Sequence, residues 1–336
     1  MKAPRCRIFA VGLLVLAQPV VAVEPGLPSR TAIMTMVARA IATHDPDPTV
    51  RNPDWLAERF LGATELRLLE GTPWADALAK DYREVMRIPE VDTLVRALLV
   101  RTRFIDERLI MAVGQGATQV VILGAGFDSR AYRLREALKG VKFIEVDFGP
   151  TQVYKKRRVA NVLGSLPPHV TYAPIDFTRE KLSDVLRKAG HRPDRKSFFI
   201  WEGVTFYLPE AAVRETLRVI ASQAPGSLIV GDFMRKSLIE AIANGPGDNV
   251  PPPMRAALVQ AKRAADLGEP WLFGIPDNHE KEYLLALGLQ VREMISANAP
   301  ESVKRYRTRR DGTVLGTLVS TDYTPAVMIE AAVPQR

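Results

Sequence analysis

Val120-Val121-Ile122-Leu123-Gly124-Ala125-Gly126-Phe127-Asp128-Ser129-Arg130 is the stretch on which the reading of this chain turns. A short apolar run, rich in β-branched residues, ends in a glycine pair, and helix-compatible sequence follows. That is the pattern of a buried parallel strand turning into a helix around a ligand. Gly124 and Gly126 allow a tight turn and leave no Cβ where a ligand must approach the backbone. A G-x-G alone is common, so the next strand decides. Asp147 stands 21 positions after Gly126, at the end of Lys142-Phe143-Ile144-Glu145-Val146-Asp147. An acid at that distance, on the second strand end, suits a pair of ribose hydroxyls.

The composition sets the outer limits. With 336 residues the chain can bury a substantial core, and its charged share of 25% is that of an ordinary globular protein. The net charge of +8 owes +3 to Lys2, Arg5 and Arg7, which precede every acid, and the rest is spread widely. Such diffuse basicity suits solubility or anionic small molecules, not a nucleic-acid footprint. The one cysteine, Cys6, lies at the extreme N-terminus, so the folded body is expected to hold neither disulfides nor thiolate metal sites. The histidines His44, His169, His191 and His279 have no metal-ligand spacing.

Working outward, residues 1–22 read as a secretory signal: a basic start, an apolar core from Ile8 to Leu16, and small residues at Val20-Val21-Ala22. The competing reading is a frayed extension or an upstream start. No other segment is long and apolar enough to span a membrane. Residues 23–115 are expected to be helical, with Ser29 as a cap, Pro53 in the first turn of a second helix, and a long helix from about Pro89 to Val113. They are expected to form a lid over the sheet's ligand edge. From residue 116 strands and helices alternate: strands at 119–123, 142–147, 169–174, 197–202 and 227–232, with helices beginning near Ser129, Gly149, Thr178 and Pro209. This predicts a parallel sheet with right-handed crossovers. Gly245-Pro246-Gly247 and Pro251-Pro252-Pro253 mark an insertion over 235–290, with helical stretches near 254–266 and 277–287. Two strand-like segments, 289–296 and 324–333, close the chain as an antiparallel pair.

Ligands of open parallel sheets sit beyond the carboxyl ends of the strands. Acids stand there in series: Asp147, then Asp176 with Phe177, then Glu202, then Asp232. Asp176 is placed to accept an adenine amine, Phe177 to lie against the base, and Glu202 to face an ammonium or sulfonium centre. Each alone reads as a helix cap or loop acid; the ordered series raises their joint weight. Asp128 and Ser129 are candidate caps, Arg130 and Arg133 structural partners of acids, and Lys155-Lys156-Arg157-Arg158 a solvated helix face. A nicotinamide cofactor calls for a third glycine where Ser129 stands, and Asp128 repels a pyrophosphate. S-adenosylmethionine carries no phosphate and is cationic at sulfur and nitrogen, so the acids favour it.

At this point the sequence resembles a known family. Val121 to Leu134 is similar to the glycine motif of the leucine carboxyl methyltransferase-like family of class I S-adenosylmethionine-dependent methyltransferases. Phe143 to Phe148, Phe199 to Leu208 and Arg101 to Asp106 resemble its further motifs, and the likeness covers roughly 29–235. It implies an α/β, Rossmann-like fold with a mostly parallel seven-stranded sheet whose last strand is antiparallel, beside the N-terminal helical lid. It also implies roles: Arg101 for the methionine carboxylate, Gly124 along the methionine portion, Asp147 for the ribose, Asp176 and Phe177 for the adenine, and Glu202 near the reactive methyl. The 235–290 insertion and the basic stretch from Lys304 to Arg310 match none of these motifs and are expected to shape the acceptor pocket.

The expected reaction is methyl transfer to an acceptor oxygen of a small molecule. A carboxylate acceptor is already ionised and needs no base. A phenol or alcohol needs one, for which His279 and Tyr207 are candidates, His279 reading equally as a surface residue and Tyr207 as packing. The alternatives are a non-catalytic binder of S-adenosylmethionine or a nucleoside, and a nicotinamide-dependent dehydrogenase. Supply of the methyl donor argues for the cytoplasm, while residues 1–22 leave export or membrane tethering open.

Overall fold

The computed structural model describes residues 28–177, 179–247, 249–316 and 323–335. The signal-like segment 1–22, with Cys6, and the expected helix start at Thr178 lie outside the described residues.

Helix α1 (Arg30–Ala42) begins where the Ser29 hydroxyl accepts the Ala32 amide at 3.1 Å, the expected cap. Short helices α2 (Leu56–Phe60), α3 (Ala63–Arg67) and α4 (Tyr82–Val85) follow. Pro53 therefore lies three residues ahead of its helix and not in its first turn. The long α5 (Pro89–Gly114) carries proline in its first turn. Then come β1 (Gln119–Leu123), α6 (Arg130–Arg133), β2 (Lys142–Asp147), α7 (Gly149–Leu163), β3 (Val170–Pro174), α8 (Leu182–Lys188), β4 (Ser197–Trp201), α9 (Glu210–Ala221) and β5 (Leu228–Met234). The insertion supplies α10 (Lys236–Asn244), α11 (Pro252–Asp266) and α12 (Glu280–Leu285), and the chain closes with β6 (Gln290–Ile295) and β7 (Ala326–Ala332).

The seven strands form one sheet in the order β3-β2-β1-β4-β5-β7-β6. Strands β1 to β5 are parallel, and β7 runs antiparallel between β5 and β6. The expected closing pair is present, with the last strand inserted inside the sheet. Alternation along β1 explains the layers. Val120 and Ile122 face a cluster that includes α1, α5 and α7, while Val121 and Leu123 face one that includes α8, α9 and α12. Order reverses at β1, which has β2 on one side and β4 on the other. The crevice beyond their carboxyl ends is where such sheets take ligands. No helix among the described residues is long and apolar enough to cross a membrane.

Candidate functional site

The turn after β1 is held by the strand beside it. The amides of Gly124 and Ala125 both donate to the Val146 carbonyl, at 2.8 and 3.0 Å. The Gly126 amide donates to Asp147 Oδ2 at 2.6 Å, and the Phe148 amide to Asp147 Oδ1 at 2.7 Å. Burial pushes the Asp147 carboxyl above its ordinary range, and these two amides pull against it. Gly124 has φ +66°, and a Cβ built on it would meet Val204 Cγ2 at 2.3 Å. The turn after β4 thus seats directly on the turn after β1, and only glycine admits that approach.

Around these turns runs a continuous chain of buried ion pairs. Arg39 of α1 meets Asp54 at 2.9 Å, and Asp54 also accepts the Ser129 hydroxyl. Arg133 reaches Ser129 Oγ at 3.1 Å and Asp106 at 2.6 Å. Asp106 is shared with Arg130 at 2.8 Å, and Arg130 goes on to Asp128 and Glu202. The other Glu202 oxygen takes Arg101 Nε at 2.8 Å, and Arg101 Nη1 reaches Asp232 Oδ2 at 2.7 Å. Asp232 Oδ1 accepts the Gly203 amide at 2.6 Å. Burial would raise the Glu202 carboxyl, but Arg130 and then Arg101 outweigh it and hold the group well below the usual carboxylate range.

Four guanidinium groups (Arg39, Arg101, Arg130, Arg133) therefore face five carboxylates (Asp54, Asp106, Asp128, Glu202, Asp232), leaving this ion-pair chain one net negative charge, with the Asp147 carboxyl beside it. Arg101 Nη2 has no hydrogen-bond partner among the described residues. The chain is tightly packed: the crevice among Arg39, Asp54, Thr102, Asp128, Ser129 and Arg130 holds no water-sized volume. A cleft of about 270 Å³ lies at the opposite, amino ends of the strands, lined by Ala117, Ser197, Leu228 and Glu330 among others, and borders none of the expected site residues.

The structure joins Gly124, Gly126 and Asp147 in one turn and Arg101 with Glu202 in one ion pair. Asp176 and Phe177 stand just beyond β3, next to Asp147, whose carbonyl accepts the Ile175 amide at 2.8 Å. Asp176 is half-buried with Arg179 at 3.5 Å, and Phe177 leans on the α8–α9 side of the core. Tyr207 lies against Phe206, centroids 4.5 Å apart, under an apolar cap that α10, α11 and Trp271 of the insertion build. Its hydroxyl points to Thr31 Oγ1 at 3.4 Å, and burial pushes its pKa up to about 12. His279 is an exposed residue ahead of α12, and the described structure gives it no hydrogen bond to the other site residues.

Two readings change and one holds. Ser129 does not cap the helix after the glycine turn, because its hydroxyl goes to Asp54, and that helix is the single turn α6. Asp128 does cap, accepting the Arg130 amide at 2.7 Å. Lys155 is not on a solvated face. It is 1% exposed and pairs with Glu145 at 2.8 Å. The signal was present in the sequence: Thr151, Lys155 and Val159 share one helix face, and all three are buried.

Comparison with known proteins adds an independent finding. Residues 32–221, more than half the chain, match the family of leucine carboxyl methyltransferases. A protein of Mycolicibacterium vanbaalenii named "Putative S-adenosyl-L-methionine-dependent methyltransferase" is 34% identical over 209 residues, which are 60% of this chain and 65% of that protein. One of Mycolicibacterium smegmatis, bearing the same name, is 31% identical over 264 residues, 78% of this chain and 83% of its own length. The chain thus spans about two thirds of the first relative and more of the second. Among solved structures, a DUF574 family protein from Streptomyces avermitilis shares the fold, with TM-score 0.51, 13% identity, and coverage of 89% of this chain and 97% of that one.

Proposed function

The chain belongs to the leucine carboxyl methyltransferase family, and we propose that it binds S-adenosylmethionine and methylates an oxygen of a small acceptor. The observation that carries this reading is the single surplus negative charge of the ion-pair chain at the switch point. S-adenosylmethionine has one net positive charge, so the chain suits it. A dinucleotide brings a pyrophosphate, which the same acids repel. The glycine turn fits as well, since its left-handed Gly124 leaves no side chain between backbone and ligand.

In this reading Asp147 receives the ribose hydroxyls, and Asp176 with Phe177 the adenine. The unengaged Nη2 of Arg101 takes the amino-acid carboxylate as a charge-assisted pair, while Nε and Nη1 stay on Glu202 and Asp232. When bound, the sulfonium supplies an electrophilic methyl and leaves as a neutral thioether. The chain's own work is alignment and exclusion of water by α1, the turn after β4 and the Phe206–Trp271 cap.

The acceptor class follows from the candidate bases. Tyr207 keeps its proton at neutral pH and so serves as a hydrogen-bond donor, and His279 is exposed ahead of α12. Neither is suited to deprotonate a hydroxyl, which favours an acceptor that is ionised by itself, a carboxylate. The cytoplasm, where the methyl donor is made, is the compartment this reading requires. The test is turnover of methyl-labelled donor with a panel of small carboxylic acids and their matched alcohols and phenols. Label released as methanol by mild base, the mark of a methyl ester, is expected; base-stable ether products alone would overturn the carboxylate assignment.

A further inference from the structure

Beneath the glycine turn lies a charge pair that neither the ion-pair chain nor the ligand roles above use. Lys155 is 1% exposed and Glu145 is fully buried. Lys155 Nζ sits 2.8 Å from Glu145 Oε2 and 3.3 Å from the carbonyl of Ala125, the residue between the two glycines. That carbonyl also accepts the Asp128 amide at 2.7 Å. Glu145 Oε1 takes the Tyr132 hydroxyl at 2.8 Å, so both carboxylate oxygens are engaged. Glu145 and Asp147 are two apart on β2 and point to the same side of the sheet.

We propose that Lys155 is a positioning residue for the cofactor: it fixes the Gly124-Ala125-Gly126 turn from below by holding the Ala125 carbonyl, with Glu145 as its counter-charge. This rests on the cofactor reading above. A buried ammonium is costly and persists only where paired and hydrogen-bonded. A pair that served the core alone would have no need to reach the turn. Here one ammonium ties α7 and β2 to a carbonyl of the turn, while the turn's amides are held by the Val146 carbonyl and by Asp147. Its charge also lies near Asp147 and favours that carboxylate in its ionised form.

The test is calorimetric titration of the full-length protein with S-adenosylmethionine, comparing wild type, Lys155→Met, Lys155→Arg and the double variant Glu145→Gln/Lys155→Met, each with a melting curve. Lys155→Met is expected to lower both affinity and melting temperature, because it leaves Glu145 buried and unpaired. The double variant removes both charges. It is expected to regain most of the melting temperature while its affinity stays reduced about tenfold or more. Lys155→Arg, which keeps a cation there, is expected to recover part of the affinity. Affinity that returns in step with melting temperature in the double variant would assign the pair to the core alone and overturn the positioning role, as would Lys155→Met binding like wild type. No binding by folded wild type would instead remove the cofactor reading, and this proposal with it.

Discussion

Asp147 Oδ2 lies 2.6 Å from the Gly126 nitrogen, so the end of the second strand grips the turn that leaves the first. A carboxylate oxygen accepts more than one hydrogen bond, and Asp147 can hold the turn while receiving ribose hydroxyls. Asp147→Asn keeps the shape and loses the charge. Its affinity for S-adenosylmethionine is expected to fall roughly 10- to 100-fold, the range of a charged hydrogen bond, as read by calorimetry. Unchanged affinity would remove Asp147 from the ligand.

Gly124→Ala places a methyl on a left-handed residue and 2.3 Å from Val204 Cγ2. Val204 is β-branched and stiff, so the turn after β4 must shift. The substitution is expected to destabilise the fold by about 2 kcal/mol and to abolish cofactor binding. Adding Val204→Ala should recover part of the stability in a double-mutant cycle of denaturant titrations. Strict additivity would deny the contact.

Glu202 holds Arg101 and Arg130 together, at 2.8 and 2.5 Å. Replacing it with glutamine leaves two buried guanidinium groups short of charge. Unfolding free energy should drop by about 3 kcal/mol at neutral pH. Because the folded-state pKa is depressed, wild type has this contribution in full above the unfolded carboxyl pKa of about 4.3 and loses it as pH falls below that. Glu202→Gln should flatten that acid limb, and an unchanged limb would show that other carboxylates carry it.

His191 gives a separate pH window. It is buried with its ring nitrogen Nε2 3.0 Å from Ser197 Oγ, and burial, then Lys142, push its pKa down to about 4, against Asp194. The unfolded chain takes up this proton near pH 6.5 and the folded chain does not. Stability is therefore expected to fall between about pH 6.5 and 4, by about 2 kcal/mol after allowance for solvent screening, and then to level for this group. His191→Gln should remove that slope in denaturant melts, and proton-detected titration of the imidazole near 6.5 would contradict the burial argument.

How far the sequence carried is visible in particular places. Strand β1 was readable because Val120 to Leu123 is apolar on both faces, as a buried parallel strand must be, and the five parallel strands fell within two residues of their expected ends. Arg101 and Glu202 were each named, but not their bond. Their separation is 101 residues, and Arg101 and Asp232 are 131 apart, so no local pattern links them. Only the folded sheet brings a helix ahead of β1 onto the ends of β4 and β5. Lys155 was misread for a different reason. Its charged neighbours suggested solvent, while the i, i+4 spacing with Thr151 and Val159 pointed inward.

The central claim, an acidic switch point shaped for a cationic methyl donor, is tested most directly by titrating the full-length protein with S-adenosylmethionine and, separately, with NAD in a calorimeter. The account predicts one saturable site for S-adenosylmethionine, weakened by Asp147→Asn, and no heat of binding for NAD. A folded sample that ignores S-adenosylmethionine, or that binds NAD in its place, would contradict it.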